Sequence, residues 1–368
     1  MSAEQKNSGV SRREILKAGG LFLSVFTLQK IAEVGSEFYK QAVIENRSAR
    51  LPTTFYTPQD GSIALGFSPQ TNFTSEGLRV ATALKTSPQC FNFFIDERYM
   101  PFIYDQIKLA TDHGIIPVLA LGYQFGLTTN FEEFSKFLGG ITKKMDSFGK
   151  PYFLRPFWEP FTPWTKDAFG DMSYRDFDSG WRKMYKQVVN SSNLAKVIYC
   201  VNSSIYTDPF NSEPFTKGFP GENFMHVFAV DTYNKYSPSS IDLEHYIDPD
   251  YSYKISLGPD ILHMHKLAPN TPIAVTEFNS YNNGNKVNFL SGGANYLTEL
   301  DVRLISSFDW DKNGFGEAFW NILHYPQLIA AYIQEFERSC YITNDVDLRS
   351  KPELVMDKIL SKPTHFFH

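Results

Sequence analysis

The protein has 368 residues, with 35 Lys and Arg against 40 Asp and Glu and a formal net charge of −5 at pH 7. This balance provides no basic excess to neutralise phosphates, so it predicts no nucleic-acid partner. Three cysteines without a CxxC pair argue against a disulfide framework and a zinc ribbon, and after the first thirty residues no apolar run approaches the roughly 18 residues that cross a bilayer.

The first fifty residues carry a pattern typical of an export signal. Arg12 and Arg13 lie just before residues 18–28, a moderately apolar stretch that is short for a membrane span. This arrangement resembles a twin-arginine signal, which a translocase reads as an address. We therefore predict that residues 1–50 are a signal and linker, that the twin-arginine translocase is a partner, and that the location is extracellular, periplasmic or envelope-attached. An ordinary basic N-terminal helix is the alternative, and cleavage or anchoring stays open.

From residue 62 onward, short apolar runs alternate with longer amphipathic segments. The runs are of the buried type, as expected for parallel strands covered by helices. The predicted strands are residues 63–67, 91–95, 116–121, 152–157, 197–201, 225–230, 273–277 and 318–321. The predicted helices include residues 100–113, 131–148, 175–189 and 294–306, and a closing loop and helix lies in residues 345–361. Eight such strands predict a (β/α)8 TIM barrel, formed as a single domain by residues 51–368.

An open, doubly wound sheet is the alternative arrangement of the same elements. It is disfavoured because the chain has no GxGxxG after the first strand, no GxxxxGK[ST] loop and no GxSxG turn. Dinucleotide-binding, P-loop and serine-hydrolase functions are disfavoured on the same ground.

Two glutamates lie at the ends of predicted strands, where a barrel places its active site. Glu159 follows the fourth strand among aromatic residues, and Glu277 ends the seventh. Two carboxylates facing each other across such a mouth divide the work of breaking a glycosidic bond, because one donates a proton to the leaving oxygen while the other attacks carbon. A strand-end salt bridge explains either glutamate alone equally well, but the pair favours catalysis.

Three segments, in order along the chain, resemble glycoside hydrolase family 26. Residues 154–159 (LRPFWE), followed by Trp164, resemble the acid/base pattern R-P-x-H-E-M-N-G of that family. Residues 219–222 (FPGE) and 230–234 (VDTYN) are similar to its P-G-D and D-x-Y, and residues 275–278 (VTEF) resemble its nucleophile strand. The resemblance extends over about residues 62–330. It implies a clan A barrel and a retaining endo-β-glycanase, typically acting on β-mannan and in some members on β-xylan or β-glucan.

The resemblance also assigns roles by matching position. Glu159 corresponds to the acid/base, Glu277 to the nucleophile, and Tyr233 to a residue hydrogen-bonded to the nucleophile. Trp320, which the predicted strands place at the end of strand eight, corresponds to the sugar platform beneath the cleaved bond. The chain departs from the pattern in two places, where rings replace polar groups: Trp158 stands for the His before the acid/base and Phe161 for the Asn after it. Mannan specificity therefore does not follow from the resemblance.

Further side chains at the strand ends suit sugar binding. Arg155 is a cation for Glu277 or a structural charge partner. An aromatic face presents apolar area with a polar rim to a sugar. The rings predicted to bind substrate are Trp158, Trp164, Trp310, Trp320 and Tyr123, with core packing as the alternative for Trp164, Trp310 and Tyr123. Asn202 and Asn279, at the ends of strands five and seven, are predicted to bind hydroxyls, with loop capping as the alternative.

No cofactor is predicted. Residues 309–314 (DWDKNG) match the first half of a calcium-binding loop, D-x-[DN]-x-[DN]-G, but its twelfth position is Trp320 where a bidentate Glu is required. A tight Asx turn is therefore favoured over a calcium site.

Taken together, these patterns predict a secreted O-glycosyl hydrolase that cleaves β-linked polysaccharide or oligosaccharide with two glutamates by double displacement. The first alternative is a non-catalytic carbohydrate-binding barrel of the cell envelope, motivated by Trp158 and Phe161. The second is a structural envelope protein. The presence of Glu159 and Glu277 at two strand ends favours the enzyme over both.

Overall fold

The computed structural model describes residues 58–69, 78–86, 88–95, 100–122, 131–157, 159–160, 172–202, 216–234, 249–280, 286–309, 323, 325–342 and 350–363. The strands in these residues are β1 (Ala64–Pro69), β2 (Cys90–Ile95), β3 (Ile116–Leu121), β4 (Tyr152–Pro156), β5 (Ala195–Asn202), β6 (Val227–Asn234), β7 (Ile273–Ser280) and β8 (Val302–Asp309). The helices are α1 (Leu78–Ala83), α2 (Met100–Asp112), α3 (Phe131–Asp146), α4 (Tyr174–Ser191), α5 (Pro249–Leu267), α6 (Lys286–Glu299), α7 (Pro326–Phe336) and α8 (Pro352–Ile359).

The strands form a closed parallel barrel in which each strand pairs with the next along the chain and β8 pairs with β1. The predicted (β/α)8 TIM barrel is confirmed. In this fold the outward side chains of the strands pack against the helices and the inward side chains fill the barrel. Residues 1–50, predicted to be a signal and linker, lie outside the described residues. Among the described helices, none is both long and apolar enough to cross a membrane.

The packing of α4 against α3 depends on a glycine. Helix α4 begins at Tyr174 and is capped by Ser173, whose side-chain oxygen accepts a hydrogen bond from the backbone N–H of Asp176 at 3.1 Å. Its buried face includes Gly180, and a Cβ placed there would lie 2.3 Å from the ring of Phe131 on α3. Any side chain larger than hydrogen at residue 180 would therefore push the two helices apart.

The eighth strand lies elsewhere than predicted. Residues 294–306 were expected to form one helix because their apolar residues recur at three and four positions, but α6 ends at Glu299. Asp301 then adopts a left-handed backbone with φ of 56°, which breaks the helix. The run from Val302 to Asp309 pairs with β1 and β7 and is the true β8. The assignment of strand eight to residues 318–321 is therefore wrong, and those residues lie outside the described ones.

The lower half of the barrel interior is apolar. Side chains from the first residues of the strands meet there and are covered from below by α8, whose Val355, Met356 and Ile359 join the same cluster. We call this cluster the floor; its strand residues are Ala64, Cys90, Ile116, Val118, Phe153, Ile198, Cys200, Val227, Ala229, Ala274 and Leu304. Polar side chains begin one layer higher, so the interior changes character towards the carboxyl ends of the strands.

Candidate active site

A bulge in β7 turns Glu277 into the mouth of the barrel. Against β6, the register steps from Val230–Val275 directly to Asp231–Glu277, so Thr276 is an extra residue. Against β8, it steps from Val275–Ile305 to Phe278–Ser307, which again gives β7 one extra residue. Val275 and Phe278 pack in the cluster between strands and helices. Thr276 and Glu277, consecutive in sequence, both contact residues of the barrel interior, as a bulge permits and regular alternation does not.

The carboxylate of Glu277 is held from two neighbouring strands. Arg155 on β4 donates from Nη1 to Glu277 Oε1 at 2.7 Å, and Tyr233 on β6 donates its hydroxyl to Glu277 Oε2. Arg155 also donates from Nη2 to Asp231 Oδ2, and Thr276 donates its hydroxyl to Asp231 Oδ1 at 2.7 Å. One fully buried guanidinium therefore serves two carboxylates, both at most 5% exposed.

The protonation states of this network follow from its burial. Burial disfavours the charge of Arg155, but Asp231 and Glu277 outweigh that effect and hold the pKa of the guanidinium above its ordinary value. Burial, together with the charges of Glu277 and Asp231, raises the pKa of the Tyr233 phenol, which stays a hydrogen-bond donor. Burial also raises the pKa of the Asp231 carboxyl, and Arg155 opposes that rise.

Glu159 sits just beyond the end of β4 in a different environment. It is 7% exposed, and its Oε1 accepts a hydrogen bond from the side-chain amide of Asn202 at the end of β5. The amide oxygen of Asn202 is buried and has no hydrogen-bond partner among the described residues. A neutral amide thus contributes to the orientation of Glu159, and a guanidinium and a phenol contribute to that of Glu277.

The chain reaches Glu159 through a strained residue. Phe157 has a φ of 54°, a left-handed conformation that is unusual for a bulky side chain. Its ring is fully buried, with its centroid 4.2 Å from that of Phe134 and 5.5 Å from that of Phe131. This packing fixes the turn after β4, and with it the direction in which the backbone carries Glu159.

The predicted site residues divide into those that the structure brings together and those it does not describe. Five of them meet at the mouth: Arg155, Glu159, Asn202, Tyr233 and Glu277. The predicted rings lie outside the described residues: Tyr123, Trp158, Trp164, Trp310 and Trp320. So do residues 310–314, most of the sequence that matched a calcium loop.

Asn279 does not face the mouth as a free amide. Its Nδ2 donates to the backbone carbonyl of Phe308 on β8, and its Oδ1 accepts from the buried ammonium of Lys286 at 3.0 Å. These contacts fix the ends of β7 and β8 to the start of α6. The capping alternative considered for Asn279 therefore describes its contacts better than sugar binding does.

Asp231 was missed as a site residue. It entered the sequence comparison only as the first letter of D-x-Y, yet it shares Arg155 with Glu277. The sequence did contain a pattern that predicts the position of Asp231, because residues two apart on a strand lie on the same face of the sheet. If Tyr233 faces the barrel mouth, Asp231 must face the interior one layer below it.

Comparison with known proteins relates the barrel to solved structures. No family model matches the chain, and no curated protein matches it in sequence. Among solved structures, the chain is similar to a β-mannanase of glycoside hydrolase family 26 from Bacteroides ovatus, with a TM-score of 0.55 and 13% identity over 89% of this chain and 98% of the other. It is also similar to a broad-specificity family 5 endoglucanase from Ruminococcus champanellensis with bound cellotriose, with a TM-score of 0.52 and 12% identity over 75% and 99% of the two chains.

The chain has the barrel fold of these glycoside hydrolases. At such identities the similarity concerns the fold alone, and the arrangement of Glu159 and Glu277 carries the chemical argument.

Proposed function

We propose that the protein is a retaining glycoside hydrolase, an endo-β-glycanase of the family 26 type that cleaves β-linked polysaccharide. The observation that carries this proposal is the unequal setting of two carboxylates at one barrel mouth. Glu277 accepts hydrogen bonds from Arg155 and Tyr233, and the partners of Glu159 include the neutral amide of Asn202. Such a difference suits one carboxylate that attacks and another that exchanges a proton.

The reaction proposed for this pair has two steps. Glu277 attacks the anomeric carbon while Glu159 gives its proton to the glycosidic oxygen, so the leaving sugar departs as an alcohol and a glycosyl ester forms on Glu277. Glu159, now ionised, then takes a proton from water as that water attacks the same carbon. The ester breaks and Glu277 is released. Two inversions give net retention of the β-configuration.

The residues around the pair have proposed supporting roles. Arg155 compensates the charge that returns to Glu277 in the second step, and Tyr233 fixes its orientation. The amide oxygen of Asn202, which has no hydrogen-bond partner in the part of the chain that the structure describes, accepts a sugar hydroxyl. Trp158, Trp164 and Tyr123 are proposed to stack on sugar rings. Because β8 ends at Asp309, directly before Trp310 in sequence, the platform role assigned to Trp320 passes to Trp310, and Trp320 keeps a stacking role.

The test is release of reducing ends by the purified full chain on β-mannan, β-glucan and β-xylan. Glu159→Gln and Glu277→Gln are each expected to lower the rate at least about a thousandfold, because each removes a group that changes bonds in the reaction. Glu353→Gln, which changes an exposed glutamate at the other end of the barrel, serves as the control and keeps full activity. NMR of the first product is expected to detect the β-anomer.

The carbohydrate-binding barrel is the competing function, and the same proteins decide between the two. It predicts that the unaltered chain binds one of these glycans without turnover and that Glu159→Gln binds equally well. Turnover by the unaltered chain that is lost in both glutamine variants contradicts it.

We also propose export by the twin-arginine route. The support is the pair Arg12 and Arg13 before a short apolar stretch. Replacement of both arginines by lysine is expected to keep the protein in the cytoplasm, as measured by fractionation of expressing cells. Equal export of both proteins would contradict the proposal.

A further inference from the structure

The direction of Glu277 depends on the β7 bulge, formed by Thr276 and Glu277. In a regular strand, side chains two residues apart lie on the same face. Val275 faces the helices, so without the bulge Glu277 would face them too, away from Arg155 and Tyr233. Whatever stabilises the bulge therefore decides whether the carboxylate reaches the barrel mouth.

The bulge is held from inside the barrel through the backbone of Thr276. Its carbonyl oxygen accepts a hydrogen bond from Asn92 Nδ2 on β2 at 2.9 Å and another from Ser68 Oγ on β1 at 3.0 Å. Asn92 also donates to Ser68 Oγ, and Ser68 lies 2.9 Å from the hydroxyl of Ser306 on β8. All four residues are at most 2% exposed.

These contacts explain why the bulge is stable in a dry interior. The register of β7 against β8 steps from Val275–Ile305 to Phe278–Ser307, and at this step the Thr276 carbonyl points into the barrel. A buried carbonyl without a hydrogen-bond partner is strongly disfavoured, so the bulge needs the donors on Asn92 and Ser68. The Thr276 hydroxyl is fixed as well, by donation to Asp231 and by a 3.2 Å contact with Cys200 Sγ. Both the carbonyl and the side chain of Thr276, the residue before Glu277, are thus fixed by hydrogen bonds.

We propose that Asn92 and Ser68 are positioning residues for the nucleophile and that they act through the Thr276 carbonyl. Their hydrogen bonds described above reach Thr276 from β1 and β2 through the barrel interior and leave the carboxylate of Glu277 to Arg155 and Tyr233. The kinetic part of this inference rests on the proposed glycosidase function. The structural part, that Asn92 keeps Glu277 turned into the mouth, does not.

The first test compares Asn92→Ala with a matched variant of Gln89, the residue just before β2. Gln89 is also a buried amide that bonds a backbone group of β1, its Oε1 accepting from Leu65 N at 2.8 Å, but it lies at the opposite end of the barrel. With dinitrophenyl β-mannobioside and β-cellobioside as probes, Asn92→Ala is expected to lower kcat about 10- to 100-fold with little change in KM, because small displacements of a reacting group cost that much. Gln89→Ala keeps kcat per folded molecule, and Ser68→Ala gives a smaller loss than Asn92→Ala.

The second test removes the group through which Asn92 is proposed to act. In Glu277→Gly, added azide attacks the anomeric carbon in place of the carboxylate, dinitrophenolate leaves, and the product is a glycosyl azide. If Asn92 only positions Glu277, adding Asn92→Ala to this variant changes the azide-dependent rate less than about twofold. An equal loss of rate with and without Glu277, or no loss with Glu277 present, overturns the inference.

A crystal structure of Asn92→Ala decides the structural part independently of turnover. The expected result is a Glu277 carboxylate that has left Tyr233, with the contact retained in Gln89→Ala. A retained contact in Asn92→Ala overturns the inference even in an active enzyme. An unaltered chain without turnover on any glycan or probe overturns the proposed function instead, and the crystal structures still give the answer for Asn92.

Discussion

The two ends of the barrel interior differ in side-chain chemistry: the floor is apolar and the mouth is charged and polar. At the floor, apolar side chains meet and α8 seals them from below. At the mouth, Arg155, Asp231, Thr276 and Glu277 form a buried network of charges and hydrogen bonds. On β4 the change takes two residues, from Phe153 in the floor to Arg155 in the mouth. The difference teaches that one strand contributes apolar packing at its beginning and charged groups at its end, where this fold places its active sites and where we propose that the reaction takes place.

Replacing Arg155 is expected to have the largest effect, because it damages both properties at once. Arg155→Met leaves two buried carboxylates without their cation, so we expect the free energy of unfolding to fall by about 3 to 5 kcal/mol and kcat to fall at least about 100-fold. Arg303→Met is the matched control, since Arg303 is also buried and lies 2.8 Å from Asp301 near the start of β8. Chemical unfolding and turnover of both variants are the measurements. Equal loss of kcat in both would contradict a role specific to the network at the mouth.

Phe153→Ala tests the floor by itself. Loss of this fully buried ring leaves a cavity, and we expect the free energy of unfolding to fall by about 3 to 5 kcal/mol. Because the mouth is untouched, kcat per folded molecule stays within about twofold of the original value. Denaturant titration and turnover at a temperature where the variant is folded provide the check. A large fall in kcat would mean that the two ends are mechanically coupled.

Acid is expected to weaken the protein near the floor through His226. This residue precedes β6, and its Nδ1 accepts the backbone N–H of Val197 at 3.0 Å. Burial, with a contribution from Lys196, lowers the pKa of the imidazole to about 4. Above about pH 6.5 both the folded and the unfolded states hold neutral imidazole, so the stabilisation is complete. As the pH falls towards 4, only the unfolded state takes up the proton, and stability decreases by at most about 3 kcal/mol.

The measurement for His226 is the free energy of unfolding between pH 4 and 7. His226→Gln, which keeps a hydrogen-bond acceptor, is expected to flatten this dependence. His113→Gln, which changes an exposed histidine, is the control. An unchanged slope in His226→Gln would assign the acid sensitivity to another group.

The smallest effect is expected where α8 meets solvent. Lys150 and Glu353 form an ion pair of 2.8 Å, with side chains 43% and 53% exposed. Exposed pairs of this kind contribute little, so Glu353→Gln should change the free energy of unfolding by less than about 1 kcal/mol, and less still in high salt. A larger loss, measured by denaturant titration, would show that α8 is held to the floor by charge as much as by its apolar side chains.

Much of this architecture was predictable from local pattern. The first seven strands were located within a few residues because buried parallel strands are continuous apolar runs, and β3 was located without error at Ile116–Leu121. Strand eight was misplaced because its start continues the apolar spacing of α6, and only the left-handed Asp301 separates the two elements. That conformation depends on the tertiary context and has no clear local signature.

The site was predictable in composition but not in geometry. Glu159, Glu277, Arg155 and Asn202 were predicted because polar residues at strand ends collect at one face of a barrel. Tyr233 was predicted from the family 26 resemblance alone. The structure brings these five residues to the mouth. The β7 bulge was not predicted, since a regular strand through VTEF predicts Glu277 on the face of Val275. The hydrogen-bond partners of Thr276 lie on other strands, far away in sequence. No local sequence pattern therefore predicts the bulge.

Closure of the ring also has a consequence for synthesis. The last seam joins β1 to β8, and the serine pair across it, Ser68 and Ser306, is separated by 238 positions. Contacts this distant in sequence form late and slow the folding rate. Synthesis must therefore proceed beyond residue 309 before β8 can pair with β1. Until then the nascent protein has two unpaired strand edges, which promote association with other chains.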